Sequence, residues 1–126
     1  MALQTLIVDD SPSFRALLGK RLEGIGCWVT GQAGTAKQGL DLIRERKPAL
    51  VTLDIMMPDE PGFNAKDLFR TIRKEMPETA IVVISSAPRI PTAAEFMGAI
   101  AYLEKSFMNF DELHRRLRAA FPDEVK

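Results

Sequence analysis

Short apolar runs alternate along this chain with stretches in which apolar residues recur every third or fourth position. The run at 3–8 reads as a buried strand and stops at Asp9-Asp10. Ser11-Pro12 then supplies a helix N-cap and a proline suited to the first helical position. Phe14, Leu17, Leu18, Leu22 and Ile25 recur at helical spacing, and Gly24 and Gly26 can end that helix. A second strand is predicted at 28–33. Thr35 then caps a helix carrying Ala36, Leu40 and Ile43, and Pro48 closes it. The third strand, 49–53, terminates at Asp54. A loop with Pro58, Pro61 and Gly62 leads to a helix marked by Ala65, Leu68, Phe69 and Ile72. The run at 80–84 is the most uniformly apolar, which places it centrally. Pro88 and Pro91 then delay a short fourth helix to 92–97, since proline disfavours helix at the residue before it. A last strand at 101–103 precedes Asn109, the cap of a final helix presenting Phe110, Leu113, Leu117 and Phe121.

Five strands alternating with five helices predict an α/β domain with a parallel sheet, helices on both faces and right-handed crossovers. The domain is expected over 1–122, with 123–126 as a C-terminal tail. Composition narrows the function classes. Lys plus Arg is 17 and Asp plus Glu is 17, so the formal charge is zero, which argues against a general nucleic-acid binder. Cys27 is the single cysteine and excludes an internal disulfide. The apolar start is too short for a secretory signal, and no run reaches membrane-spanning length. The expected location is the cytoplasm, with no membrane contact.

The chemistry concentrates at strand ends. In such sheets ligands sit beyond the carboxyl ends of the strands. The first strand ends in Asp9-Asp10 and the third in Asp54. If those strands are neighbours, three carboxylates converge, and like charges that close raise each other's pKa unless a cation intervenes. All-oxygen donors favour Mg²⁺, which keeps waters and bridges to phosphate; Mn²⁺ also fits. Ser85 ends the fourth strand and Lys105 lies just past the fifth, on the same edge. A hydroxyl and an ammonium there suit an incoming phosphoryl group. Singly, each has a plainer reading: a turn aspartate, a strand-end hydroxyl, a solvated lysine. Their joint placement carries the functional one.

Four segments together resemble the receiver domain of two-component response regulators. They are Leu6-Ile7-Val8-Asp9-Asp10-Ser11, Leu53-Asp54-Ile55-Met56-Met57-Pro58 with Gly62, Ile84-Ser85-Ser86, and Gly98-Ala99 through Tyr102-Leu103-Glu104-Lys105. The resemblance implies a doubly wound, flavodoxin-like fold with strand order 2-1-3-4-5. It implies that Asp54 accepts phosphate from a histidine kinase or phosphotransfer protein. Asp9, Asp10, Asp54 and the Met56 backbone carbonyl would then hold Mg²⁺. Ser85 corresponds to the switch hydroxyl, Tyr102 to the aromatic that changes rotamer on activation, and Lys105 to the phosphate-contacting lysine. Output would pass to a downstream protein through the surface of the fourth helix, fifth strand and fifth helix. The protein would act as a monomer or a phosphorylation-dependent dimer. It would catalyse only its own phosphorylation and dephosphorylation, and contact no nucleic acid directly.

Two features depart from the family pattern. Where the family normally has Lys-Pro with a cis peptide, this chain has Lys105-Ser106. A cis bond before a non-proline residue costs about 3–4 kcal/mol. The expectation is a trans peptide with a shifted loop or a strained cis one, either displacing the Lys105 ammonium. The proline-rich stretch Ala87-Pro88-Arg89-Ile90-Pro91 should shorten or displace the fourth helix.

Competing readings are a receiver-like scaffold that works without phosphorylation, and the receiver part of a longer regulator. An aspartate-nucleophile phosphatase would show Asp-x-Asp and a cap domain. A flavodoxin-type cofactor carrier would show a Ser/Thr/Gly-rich phosphate loop. His114 reads as a surface residue, Arg44-Glu45-Arg46-Lys47 as a solvated helix end, Met56 and Met57 as loop or packing residues, and Cys27 as a small buried apolar residue.

Overall fold

The computed structural model describes residues 2–57, 62–86, 96–105 and 109–126. Among these the chain forms β1 (Leu3–Val8), α1 (Pro12–Gly24), β2 (Cys27–Ala33), α2 (Ala36–Arg46) and β3 (Leu50–Asp54). It continues through α3 (Ala65–Glu75), β4 (Ala80–Ser85), β5 (Ala101–Glu104) and α4 (Phe110–Ala120). The strands make one sheet in the order β2-β1-β3-β4-β5, parallel at every pairing, as expected. The fourth of the five predicted helices falls mainly outside the described residues, and Phe96, Met97 and Gly98 form a turn before β5. The final predicted helix is therefore α4.

Local chemistry starts the helices where the sequence placed them. The Ser11 hydroxyl accepts from the Phe14 amide, Thr35 from Gln38, and Asn109 from Asp111 and Glu112. Asn64 and Asp67 add a reciprocal capping box at α3 that the sequence reading did not pick out. At the other end of α2, Lys47 adopts a left-handed conformation (φ 48°) and its amide returns to Ile43 O before Pro48.

Strand alternation divides the core into two layers. Leu6, Val8, Val51, Leu53, Ile81 and Val83 face α2 and α3. Leu3, Ile7, Leu50, Val82 and Ile84 face α1 and α4. Gly39 lets α2 lie close against β1, since a Cβ there would meet Val8 Cγ2 at 3.0 Å. Cys27 is buried, and that burial pushes its thiol pKa up, so it packs as an apolar residue with little thiolate character.

Within this core the Thr52 hydroxyl is buried and has no hydrogen-bond partner among the described residues. Leaving a buried polar group unpaired costs about 1–3 kcal/mol. Thr52→Val should therefore raise stability by about 1 kcal/mol, read as a higher urea midpoint with an unchanged slope; a lower midpoint would contradict this.

The tail expected at 123–126 packs onto the domain in this structure. Val125 is buried with Leu3, Leu22 and Leu117, and the Lys126 amide donates to Ile25 O at 2.8 Å. His114 is half-buried, with its Nε2 2.6 Å from Lys126 O. Gly26 accommodates this return: its φ is +101°, and a Cβ would lie 2.6 Å from Glu124 O. Gly26→Ala should destabilise by about 2 kcal/mol through the left-handed backbone alone, with the clash adding to it. A thermal midpoint within a degree or so of wild type would refute that account. Arg44 is more than a solvated helix end, because it donates through two nitrogens to Glu75 of α3 at 3.1 and 2.8 Å.

Candidate functional site

Sheet register assembles the acidic residues. Val8 of β1 pairs with Leu53 of β3, so the next residues, Asp9 just past β1 and Asp54 at the end of β3, lie side by side. Asp54 pairs with Ile84, which places Ser85 one step further along β4, and Ser85 pairs with Glu104, just before Lys105. The strands extend slightly at this edge. The Ile55 amide donates to Ile84 O at 3.0 Å and the Lys105 amide to Ser85 O at 2.7 Å.

Asp9, Asp10 and Asp54 each present a carboxylate oxygen, and these oxygens lie within 4.8 Å of one another. Asp9 and Asp54 are each 2% exposed, while Asp10 is exposed. Asp54 Oδ1 accepts from the Met56 amide at 2.8 Å, and Asp54 Oδ2 accepts from the Lys105 ammonium at 3.3 Å. Asp9 Oδ1 accepts from the Ser11 amide at 2.8 Å and from the same ammonium at 2.9 Å. The Asp9 backbone carbonyl is held by Arg15 at 2.5 Å. Lys105 therefore stretches over β4 and β3 to reach β1, with its side chain only 16% exposed. The peptide from Lys105 to Ser106 lies outside the described residues. The Lys105 ammonium itself sits on both carboxylates.

Burial raises the pKa of Asp54 above its ordinary value, and the Asp9 charge adds to this, while the Met56 amide and Lys105 pull the other way. Lys105 is held more basic than usual by Asp9 and Asp54, despite its own desolvation. Asp9 Oδ2 is buried without a partner among the described residues. An unpaired carboxylate oxygen inside a three-carboxylate cluster open to solvent at Asp10 suits a hard divalent cation that takes oxygen ligands and retains water. The donor set thus fits Mg²⁺.

The remaining predicted positions fall as follows. Ser85 is fully buried at the end of β4. Tyr102 is half-buried on β5 and its hydroxyl donates to Phe96 O at 2.5 Å, tying β5 to the turn before it. Met56 is 51% exposed in the loop after β3, tied to the carboxylate cluster through its amide, which donates to Asp54. Three further residues belong to the site: Ser11 and Arg15, which fix Asp9, and Phe14, whose ring lies 4.5 Å from the Lys105 ammonium; the sequence marked Ser11 only as a helix cap and Phe14 only as an apolar helix position, and did not mark Arg15. The Ser11 N-cap signal could have found them, since it places the next turn of helix directly over Asp9.

The response regulator receiver domain model matches residues 5–118, and the chain belongs to that family, the phosphoacceptor modules of two-component signalling. It is 34% identical over 110 residues to protein-glutamate methylesterase/protein-glutamine glutaminase 2 of Shewanella sp. (strain MR-7), covering 83% of this chain and 30% of that protein. It is 31% identical over 106 residues to protein CcdB of Bacillus subtilis, covering 82% of this chain and 86% of that one. The CheY-like response regulator receiver domain protein of Methanospirillum hungatei JF-1 has the same fold, with a TM-score of 0.83 at 23% identity over 98% of this chain and 97% of that one. The chain thus spans about a third of the length of the methylesterase relatives it matches. No helix among the described residues is long and apolar enough to cross a membrane.

Proposed function

We propose that Asp54 is the phosphoacceptor of this receiver, charged by the phosphohistidine of a histidine kinase or phosphotransfer protein. The carrying observation is the buried Asp54 carboxylate, with one oxygen oriented by the Met56 amide and the other accepting from Lys105, whose ammonium also bonds Asp9. A carboxylate oxygen of Asp54 bonds to phosphorus as the bond from phosphorus to the donor's imidazole nitrogen breaks. The departing nitrogen keeps that electron pair. Asp9, Asp10, Asp54 and the Met56 carbonyl would hold Mg²⁺, which offsets negative charge on both reactants. The Lys105 ammonium moves from carboxylate to phosphoryl oxygen, and the Ser85 hydroxyl donates to another. The acyl phosphate is prone to hydrolysis, so the signal resets.

Output in this reading passes through Ser85 and Tyr102. A hydroxyl drawn toward the phosphoryl group opens space for the Tyr102 ring, whose bond to Phe96 O would break as it turns inward. That biases the turn before β5 and the adjoining face of α4, where a downstream protein docks. The methylesterase activity named for the Shewanella relative is not carried over, because the matched part is a minor share of that protein.

The test is intact mass after incubation with acetyl phosphate. One phosphoryl adduct is expected with Mg²⁺ and none with a chelator. No adduct at saturating Mg²⁺ would overturn the proposal and favour a scaffold that works without phosphorylation.

A further inference from the structure

Phe14 sits on the first turn of α1, and its amide donates to the Ser11 hydroxyl at 3.3 Å. Ser11 in turn donates its own amide to Asp9 Oδ1. The ring is half-buried against the α1/α4 layer of the core and lies 4.5 Å, centroid to nitrogen, from the Lys105 ammonium. That ammonium therefore has three supports: Asp9 Oδ1 at 2.9 Å, Asp54 Oδ2 at 3.3 Å and the π face of Phe14.

We infer that Phe14 is a positioning residue that holds the Lys105 ammonium over the reacting carboxylate through a cation–π contact. The inference rests on the reading of Asp54 as phosphoacceptor. A carboxylate alone would be a poor holder, because the lysine must release Asp54 when that oxygen is esterified. The face of an aromatic ring attracts the cation without presenting a formal charge or a competing hydrogen-bond acceptor. The ammonium can then turn from carboxylate to phosphoryl oxygen while staying over the ring. The geometry is local to one helical turn: the serine that caps α1 also bonds Asp9, so the ring and the carboxylate keep a fixed relation.

Such contacts contribute about 0.5 to 2 kcal/mol, which corresponds to roughly a 2- to 30-fold effect. Phe14→Leu keeps apolar bulk and removes the ring; Phe14→Tyr keeps the ring. Phosphorylation by acetyl phosphate at saturating Mg²⁺ should slow by about 10-fold in Phe14→Leu and return to within about twofold of wild type in Phe14→Tyr. On a Lys105→Met background, Phe14→Leu should have no further effect. Independently of phosphorylation, the Lys105 ε-CH₂ proton signals should be shifted upfield by the ring current in wild type and Phe14→Tyr, and not in Phe14→Leu. An equal slowing by Phe14→Leu with and without Lys105 would show general packing and overturn the inference, as would Lys105 signals unchanged between wild type and Phe14→Leu. If wild type takes up no phosphate, the phosphoacceptor reading fails, while the ring-current shift still decides whether Phe14 places Lys105.

Discussion

Asp54→Asn is expected to lose phosphoryl uptake to background and, without divalent ion, to be more stable than wild type. The first effect follows from removing the nucleophile, because an amide oxygen is too weakly basic to attack phosphorus. The second follows from electrostatics. Asp54 has its pKa raised by burial and by Asp9, so folding shifts it toward the protonated form. At this group the folded domain therefore binds more protons than the unfolded chain between the ordinary carboxylate value of 3.8 and the raised one. The contribution of Asp54 to stability rises as pH falls through that window, and its penalty stands in full above it. Asparagine carries no such penalty. Guanidinium melts in chelator at neutral pH should give Asp54→Asn the higher midpoint. Near pH 4 the gap should narrow. A gap that widened on acidification would refute the electrostatic account.

Lys105→Met has the opposite sign. The lysine is the cation shared by two carboxylates that are each 2% exposed, and methionine keeps its length while removing its charge. Removing one partner of a buried ion pair costs about 3–5 kcal/mol, because the charges left behind are uncompensated. The lower figure applies here, since the Lys105 side chain is itself 16% exposed and Asp54 can take up a proton. In chelator the thermal midpoint should fall by roughly 10 °C for about 3 kcal/mol. Millimolar Mg²⁺ should recover most of it, since a ligand that binds only the folded state at about 100 times its dissociation constant adds about 2.7 kcal/mol. Acidification should also narrow the deficit, as the abandoned Asp54 carboxylate, whose pKa is already raised by burial, takes up a proton. A melting point insensitive to Mg²⁺ would mean that Asp9, Asp10 and Asp54 do not form an ion site.

Much of this site is legible in the chain because sheet register does the assembling. Asp9, one residue past β1, and Asp54, the last residue of neighbouring parallel β3, have nowhere to go but beside each other, as Val8 opposite Leu53 requires. The strands are bounded by signals local in sequence, and the capping roles of Ser11, Thr35 and Asn109 follow from residue type. What escaped the sequence depends on contacts between distant elements. The bond between Arg44 and Glu75 joins α2 to α3, and the return of Val125 and Lys126 under Gly26 closes the far end of the domain. Phe14 shows a third kind of miss. Its helical spacing marks it as a core residue, and it is one in part, but only the reach of Lys105 across the sheet gives its ring a second role. The Thr52 hydroxyl, without a partner among the described residues, is equally unreadable, since a threonine inside an apolar run looks like any β-branched strand residue.

The most direct test of the central claim locates the acyl phosphate itself. The protein is treated with acetyl phosphate and Mg²⁺, reduced with borohydride so that a phosphorylated aspartate becomes homoserine, and digested for peptide sequencing by mass spectrometry. Homoserine is predicted at position 54 and at neither Asp9 nor Asp10. Homoserine at either of those positions, with Asp54 intact, would contradict the account.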